Sequence, residues 1–214
     1  MHRRTFLAAL TATAAFALVA APAPARADDV SDTLADIKKA REKIKTLVAT
    51  FTQERTIGLL SSTVKSEGEM TLVRPDKLRW ELKSPDAVVY YITPDGLAFS
   101  TPNGSANVSK TAAKKFGDVL SDLLIFMGGD LEKLKSRYDL SVPSKQDGLT
   151  LKALPKAEEV KKVIKSLELQ VAADLWTVKK IIIEEKGGDR SVITFTKVTK
   201  DVKVDDAKMK PPKS

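Results

Sequence analysis

The chain has 214 residues, 30% of them charged, with a formal net charge of +8, no cysteine and one histidine. Without cysteine there is no disulfide framework, thiol nucleophile or lipid-modified Cys, and because the histidine is His2, everything after it lacks Ser-His-Asp triads, His-ligated zinc and histidine acid–base chemistry. The basic excess is spread along the chain and aromatics are few, which favours solubility or attraction to anionic membrane surfaces over nucleic-acid binding.

Residues 1–27 read as a cleaved export signal. Arg3 and Arg4 form a basic start, Phe6 to Ala21 is apolar and rich in small residues, and Ala25-Arg26-Ala27 supplies an A-x-A-like cleavage site. The apolar run is too short for a membrane anchor. "HRRTFL" fits a twin-arginine or a general secretory signal, and either route places the mature protein in the periplasm. The signal holds three arginines and no acid, so its removal lowers the charge from +8 to +5. Residues 28–214 are expected to form one domain.

The spacing of Leu34, Ile37, Ile44, Leu47, Val48 and Phe51 predicts a helix capped by Ser31 and running to about Thr50. From Phe51 to Thr101 the period changes to two. Val64, Gly68, Met70 and Leu72 share one face of a long strand whose other face carries Lys65, Glu67 and Glu69. Leu78, Trp80 and Leu82 continue the pattern in a second strand, Val88, Tyr90 and Ile92 in a third, and Leu97 and Phe99 in a fourth. Turn signals at Pro75-Asp76, Pro85-Asp86, Pro94-Asp95-Gly96 and Asn103-Gly104 separate them. Links this short make the sheet antiparallel. Arg74 stands at a strand end before Pro75, where periodicity assigns it no role.

The helical period returns from Ala112 to Met127, with Phe116, Val119, Leu120, Leu123, Leu124 and Met127 on one stripe. Gly128-Gly129 stops it, and Asp130 starts a short helix through Leu134. Strands are predicted again at Tyr138 to Val142, Leu149 to Leu154, Leu167 to Ala172, Trp176 to Glu185 and Val192 to Val198, the last two joined by the Lys186-Gly187-Gly188-Asp189 turn. Between Leu154 and Ile164 a loop with one helical turn is expected, and the Lys-rich tail from about residue 200 is expected to fray. A sheet of about ten strands must curl, as a closed barrel or an open half-barrel. Either helix has one apolar face suited to covering the hollow. No catalytic set, metal site or cofactor motif stands out. Glu67 and Glu69 share a strand face, but so charged a chain produces such pairs freely, and a carboxylate-based hydrolase is the weaker reading.

"TLVATFTQERT" (Thr46 to Thr56) resembles the opening of the LolA family of periplasmic carriers, which ferry lipoproteins to the outer membrane. "EGEMTLVRPDKLRWELKSPD" (Glu67 to Asp86) is similar to that family's strand, Arg-Pro and aromatic-bearing strand, and "YYITPDGLAFST" (Tyr90 to Thr101) to its next hairpin. The likeness runs from residue 31 to about 198 and is strongest between 46 and 101. It implies an α+β single domain, a strongly curved antiparallel sheet forming an unclosed β-barrel with helices as a lid over an apolar hollow. It implies Arg74 as the lid and transfer contact. Candidates for the apolar cavity are Leu47, Phe51, Met70, Leu72, Leu78, Trp80, Leu82, Tyr90, Ile92 and Phe99; for the lid helix, Phe116, Val119, Leu120, Leu123, Leu124 and Met127. The implied partners are lipoprotein acyl chains, an inner-membrane lipoprotein-releasing transporter and an outer-membrane acceptor. A monomer without nucleic acid, cofactor or enzymatic activity is expected. A carrier of glycolipids or other lipids, or an envelope-stress sensor, would share the fold. One departure is at the C-terminus, where "DDAKMKPPKS" has Met209 in place of the family's aromatic before Pro-Pro.

Overall fold

A computed structural model describes residues 27–60, 62–83, 85, 87–107, 121–128 and 131–211. Helix α1 (Ala27–Arg41) leads into strands β1 (Thr46–Ile57), β2 (Ser62–Val73), β3 (Lys77–Leu82), β4 (Val88–Thr93), β5 (Gly96–Thr101) and β6 (Gly104–Asn107). Helical residues 121–128 (α2) and helix α3 (Glu132–Arg137) follow. Strands β7 (Tyr138–Ser144) and β8 (Leu149–Pro155), the short helix α4 (Glu158–Lys161), and strands β9 (Ile164–Val171), β10 (Val178–Glu185) and β11 (Arg190–Lys200) complete the series. The export signal, Asp86, Asp130, and the lid candidates Phe116, Val119 and Leu120 lie outside the described residues.

All eleven strands form one sheet in the order β6-β5-β4-β3-β2-β1-β11-β10-β9-β8-β7, antiparallel throughout. The edge strands β6 and β7 do not pair among the described residues, so the curved sheet is unclosed, and the α+β fold with helices over an apolar face is as expected. Hairpin links carry the chain outward from β1 to β6. The segment holding α2 and α3 then crosses to the far edge, and β7 to β11 return to close against β1.

Two boundaries differ from the periodicity. The predicted helix from Ser31 to Thr50 ends at Arg41, begins before Ser31, and its last residues are the start of β1. Leu47, Ala49 and Phe51 are buried in alternation along β1, and pairing with both β2 and β11 outweighs the helical spacing these residues also satisfy. The tail expected to fray from residue 200 is packed through residue 211. Asp201 N donates to Thr46 O at 2.9 Å, Thr46 Oγ1 donates to Val202 O at 2.7 Å, and Met209 is 2% exposed in a 3-10 turn (Asp206–Met209) lying on β3. Burying Met209 and pairing Lys208 with Glu69 at 2.7 Å offset the chain entropy that a free tail would keep. Among the described residues, no helix is long and apolar enough to cross a membrane.

Register decides what faces the hollow, because residues directly opposite in adjacent strands point the same way. Ala49, Met70, Trp80, Tyr90 and Phe99 form one row across β1 to β5; Leu47, Leu72, Leu78, Ile92 and Leu97 form the next. On the other half, Leu151, Leu169, Ile181 and Ile193 form a matching row across β8 to β11. The halves meet at Phe51, whose ring lies 4.3 Å from Trp80 and 5.9 Å from Phe195 between centroids. Gly68 makes room for this stack. A Cβ there would stand 2.2 Å from the Phe51 ring and 2.3 Å from the Glu81 carbonyl oxygen. Because the second obstacle is backbone, Gly68→Ala should cost on the order of 1–3 kcal/mol by overpacking, read as a lowered thermal midpoint. An unchanged midpoint would show that β2 and β3 can part without penalty.

Candidate functional site

The site is the concave face together with the helices laid on it. All ten cavity candidates lie on this face, from Leu47 and Phe51 on β1 to Phe99 on β5. Leu47, Phe51, Met70, Leu72, Leu78, Trp80 and Ile92 are buried, whereas Leu82, Tyr90 and Phe99 are half-buried. The reading of the residues had placed candidates on one half of the barrel alone. Leu151, Leu167, Leu169, Ile181, Ile193 and Phe195 line the other half, and the alternation of Leu149, Leu151 and Ala153 or of Leu167, Leu169 and Val171 was the signal for them.

Two helices fill the hollow. Val30, Leu34 and Ile37 of α1 and Leu123, Phe126 and Met127 of α2 are buried in the same apolar cluster as the sheet face, with Leu124 half-buried against it. Phe126, absent from the predicted lid stripe, is 2% exposed and lies 6.3 Å from the Tyr138 ring. A gap remains between α2 and the sheet, lined by Leu123, Phe126, Leu167, Leu169 and Ile181. Among the described residues, side chains of α1 and α2 pack on the buried part of the face, while Leu82, Tyr90 and Phe99 at its β3–β5 side stay half-buried.

Arg74 follows β2 and reaches inward. Its backbone N donates to Lys45 O at 2.9 Å, which ties the strand end to the start of β1. Nη1 donates to the carbonyl of Arg41 at the end of α1, and Nη2 to the carbonyl of Met127 in α2 at 3.2 Å. The Arg41 carbonyl lies at the end of α1, where unpaired oxygens and the negative pole of the helix dipole favour a cation. Partial burial pulls the Arg74 guanidinium below its ordinary value, with Asp201 opposing.

Arg41 was not singled out by the sequence, and it proves the more deeply buried of the two. It is 1% exposed; Nε donates to Leu175 O at 3.1 Å and Nη1 to Phe126 O at 2.7 Å. Leu175 holds φ at 60°, a left-handed conformation rare for leucine, in the turn between β9 and β10. Burial pulls Arg41 down to about 9, the charge of Arg74 adds to that, and Asp174 acts against it. At neutral pH the group stays charged. Its signal in the sequence was positional: Val30, Leu34, Ile37 and Arg41 continue one helical stripe, so a cation stands where the next apolar residue belongs.

The helical residues 121–128 are also held through Asp122, which is fully buried. Asp122 Oδ2 accepts from Tyr138 OH and from Arg137 Nη2 at 3.2 Å, while Arg137 Nε stands 2.7 Å from Oδ1. The carboxylates considered for catalysis point elsewhere. Glu67 and Glu69 alternate with Gly68 and Met70 and lie on the convex face, where Glu69 pairs with Lys208 and stands 4.0 Å from Arg79. Arg79 is on that outer face too, yet its side chain is 11% exposed, bonded to Glu81 at 2.9 Å and set over Tyr91.

The family model of the outer membrane lipoprotein carrier protein LolA matches residues 42–211. The chain belongs to the LolA family. An outer-membrane lipoprotein carrier protein of Erwinia tasmaniensis is 32% identical over 85 residues, which span 38% of this chain and 42% of that relative. Among solved structures, a DUF1329 family protein of Desulfovibrio piger superposes with a TM-score of 0.50 at 12% identity, covering 84% of this chain and 95% of the other. A LolA superfamily protein of Nitrosomonas europaea gives a TM-score of 0.47 at 10% identity over 84% and 96%. The LolA match takes in β1 to β11, and with them Arg74 and the whole apolar face.

If Asp122 anchors α2, Asp122→Ala should cost about 1–3 kcal/mol of stability through its lost charge-assisted hydrogen bonds. Half-exposed Arg137 can turn to water, which caps the loss. Circular dichroism melts check this, and a midpoint equal to wild type would show that α2 is held by its apolar face alone.

Proposed function

We propose that this protein is a periplasmic carrier whose apolar face holds the acyl chains of lipoproteins between the inner and outer membranes. The observation that carries the reading is that an aliphatic and aromatic concave face, running across two halves of an open sheet, is covered by helical residues tied through the Phe126 and Met127 carbonyls to two arginines. Apolar contacts of this kind are weakly directional, so they accept chains of differing length. Membership of the LolA family, whose proteins are periplasmic, supports the compartment and the lipoprotein cargo.

The energetics fix how such a carrier must work. Each acyl methylene contributes roughly 0.8 kcal/mol of burial, so a lipoprotein with several long chains is held in a bilayer by tens of kcal/mol. Non-covalent affinity saturates near roughly 20 kcal/mol. Loading therefore calls for a transporter in the inner membrane, and unloading for an acceptor that binds the chains better. Entering chains must displace Leu123, Phe126 and Met127, and those side chains return when the cargo leaves. The protein thus exchanges one apolar filling for another, which keeps net affinity moderate. No bond is made or broken in this cycle.

The purified mature protein should bind acylated lipoprotein stoichiometrically and deliver it to acceptor membranes. Absence of binding to any amphiphile would sink the reading. Arg74→Leu removes the hydrogen bonds to Arg41 O and Met127 O, and should leave a folded protein that loads but hands cargo on slowly. Wild-type transfer rates in that variant would reduce Arg74 to a structural tie.

A further inference from the structure

The charges around α2 do not balance locally. Arg41 Nη2 is buried without a hydrogen-bond partner, and so is Arg74 Nε. The partners the two guanidiniums do have are main-chain carbonyls, Leu175 and Phe126 for Arg41, Arg41 and Met127 for Arg74. Among the described residues no carboxylate hydrogen-bonds either group. Asp174 and Asp201 are near enough to favour the charged forms, but their carboxylates accept hydrogen bonds elsewhere. The Asp174 carboxylate accepts from Trp176 N, Thr177 N and Thr177 Oγ1, and Asp201 Oδ1 accepts from Lys45 N. Two cations therefore stand side by side, close enough that Arg74 disfavours the charge on Arg41. Among the described residues their direct partners are those carbonyls, and the Arg41 carbonyl stands at the negative end of α1.

Location makes this more than a structural oddity. Arg74 lies two residues beyond Leu72 and hydrogen-bonds the residue preceding β1, so the pair borders the apolar row of Leu47, Leu72 and Leu78. An amphiphile seated on that face with its polar end at this border would meet both guanidiniums. When α2 withdraws, the carbonyls of Phe126 and Met127 leave with it, and two guanidiniums already short of partners lose more of them. A buried cation stripped of its partners is costly, and an anion presenting two oxygens to a guanidinium is the strongest replacement available.

We propose that Arg41 and Arg74 form a binding site for the anionic head, carboxylate or phosphate, of an acyl ligand whose chains occupy the hollow, the anion taking the place of the Phe126 and Met127 carbonyls. The proposal rests on the carrier reading above and adds a preference in head chemistry that the apolar face cannot supply.

Three chain-labelled amphiphiles of equal chain length test it on the intact mature protein: a fatty acid at a pH where it is ionised, a lysophosphatidylglycerol and an uncharged monoacylglycerol. Wild type should bind at least one anionic probe about tenfold tighter than the neutral one, the size of one charge-assisted hydrogen bond. The anionic-to-neutral ratio should fall to near one in Arg41→Gln and recover in part in Arg41→Lys, both first shown to fold by circular dichroism. Tighter binding of the fatty acid names a free carboxylate as the ligand head, and tighter binding of lysophosphatidylglycerol a phospholipid. Equal affinity of wild type for all three probes overturns the site without recourse to any variant, as does a preference that survives Arg41→Gln. Neutral-probe binding with no anionic preference removes this site and leaves the carrier reading standing, whereas binding of none of the three removes both.

Discussion

An open sheet with one apolar face must have that face covered, and in this protein the cover is helical. Eleven antiparallel strands satisfy one another's backbone groups except at β6 and β7, and they leave a concave surface rich in Leu, Ile, Met and aromatic side chains. Water on that surface would cost more than any single polar interaction in the molecule supplies. Helices α1 and α2 cover it with apolar stripes of their own, and the ring stack at Phe51, Trp80 and Phe195 joins the two halves beneath them. The absence of a side chain at Gly68 leaves room for the Phe51 ring against β2.

The polar attachments of α2 are of a different kind from its apolar packing. Asp122 holds it through a buried carboxylate, and Arg41 and Arg74 through the carbonyls of Phe126 and Met127. Buried charges return little net stability, because desolvation consumes most of what their hydrogen bonds supply. They do fix position. The result is a helix located by a few directional bonds and stabilised by contacts that a flexible chain could reproduce.

Inner and outer faces divide the chemistry between them. The convex face of β2 and β3 carries Glu67, Glu69, Arg79 and Glu81, with the C-terminal turn laid across part of it and Lys208 joined to Glu69. Thr71 and Tyr91 on that outer face are buried too, with the Arg79 guanidinium set over the Tyr91 ring. Lysines elsewhere pair with nearby acids in exposed bridges that contribute little to stability, as in Lys65–Glu54.

Much of this was legible in the residues. Period-two alternation marked the strands, short turns with Pro, Asp and Gly made them antiparallel, and the strand count demanded curvature. Every one of the ten cavity candidates shares a face because alternation and hairpin register are local properties. What failed was the stretch from Thr46 to Thr50, where Leu47 and Phe51 fit a helical stripe and a strand face equally well; partners on both sides, β2 and β11, decided it. The tail beyond residue 200 looked free because the strands that hold it are remote in sequence. Sequence alone determined the strands, their alternation and the absence of histidine and cysteine chemistry, since these depend on near neighbours and composition. Only the tertiary structure decided that Arg41 is buried and that Arg74 turns inward to α2, because the carbonyls that receive them come from segments tens of residues away.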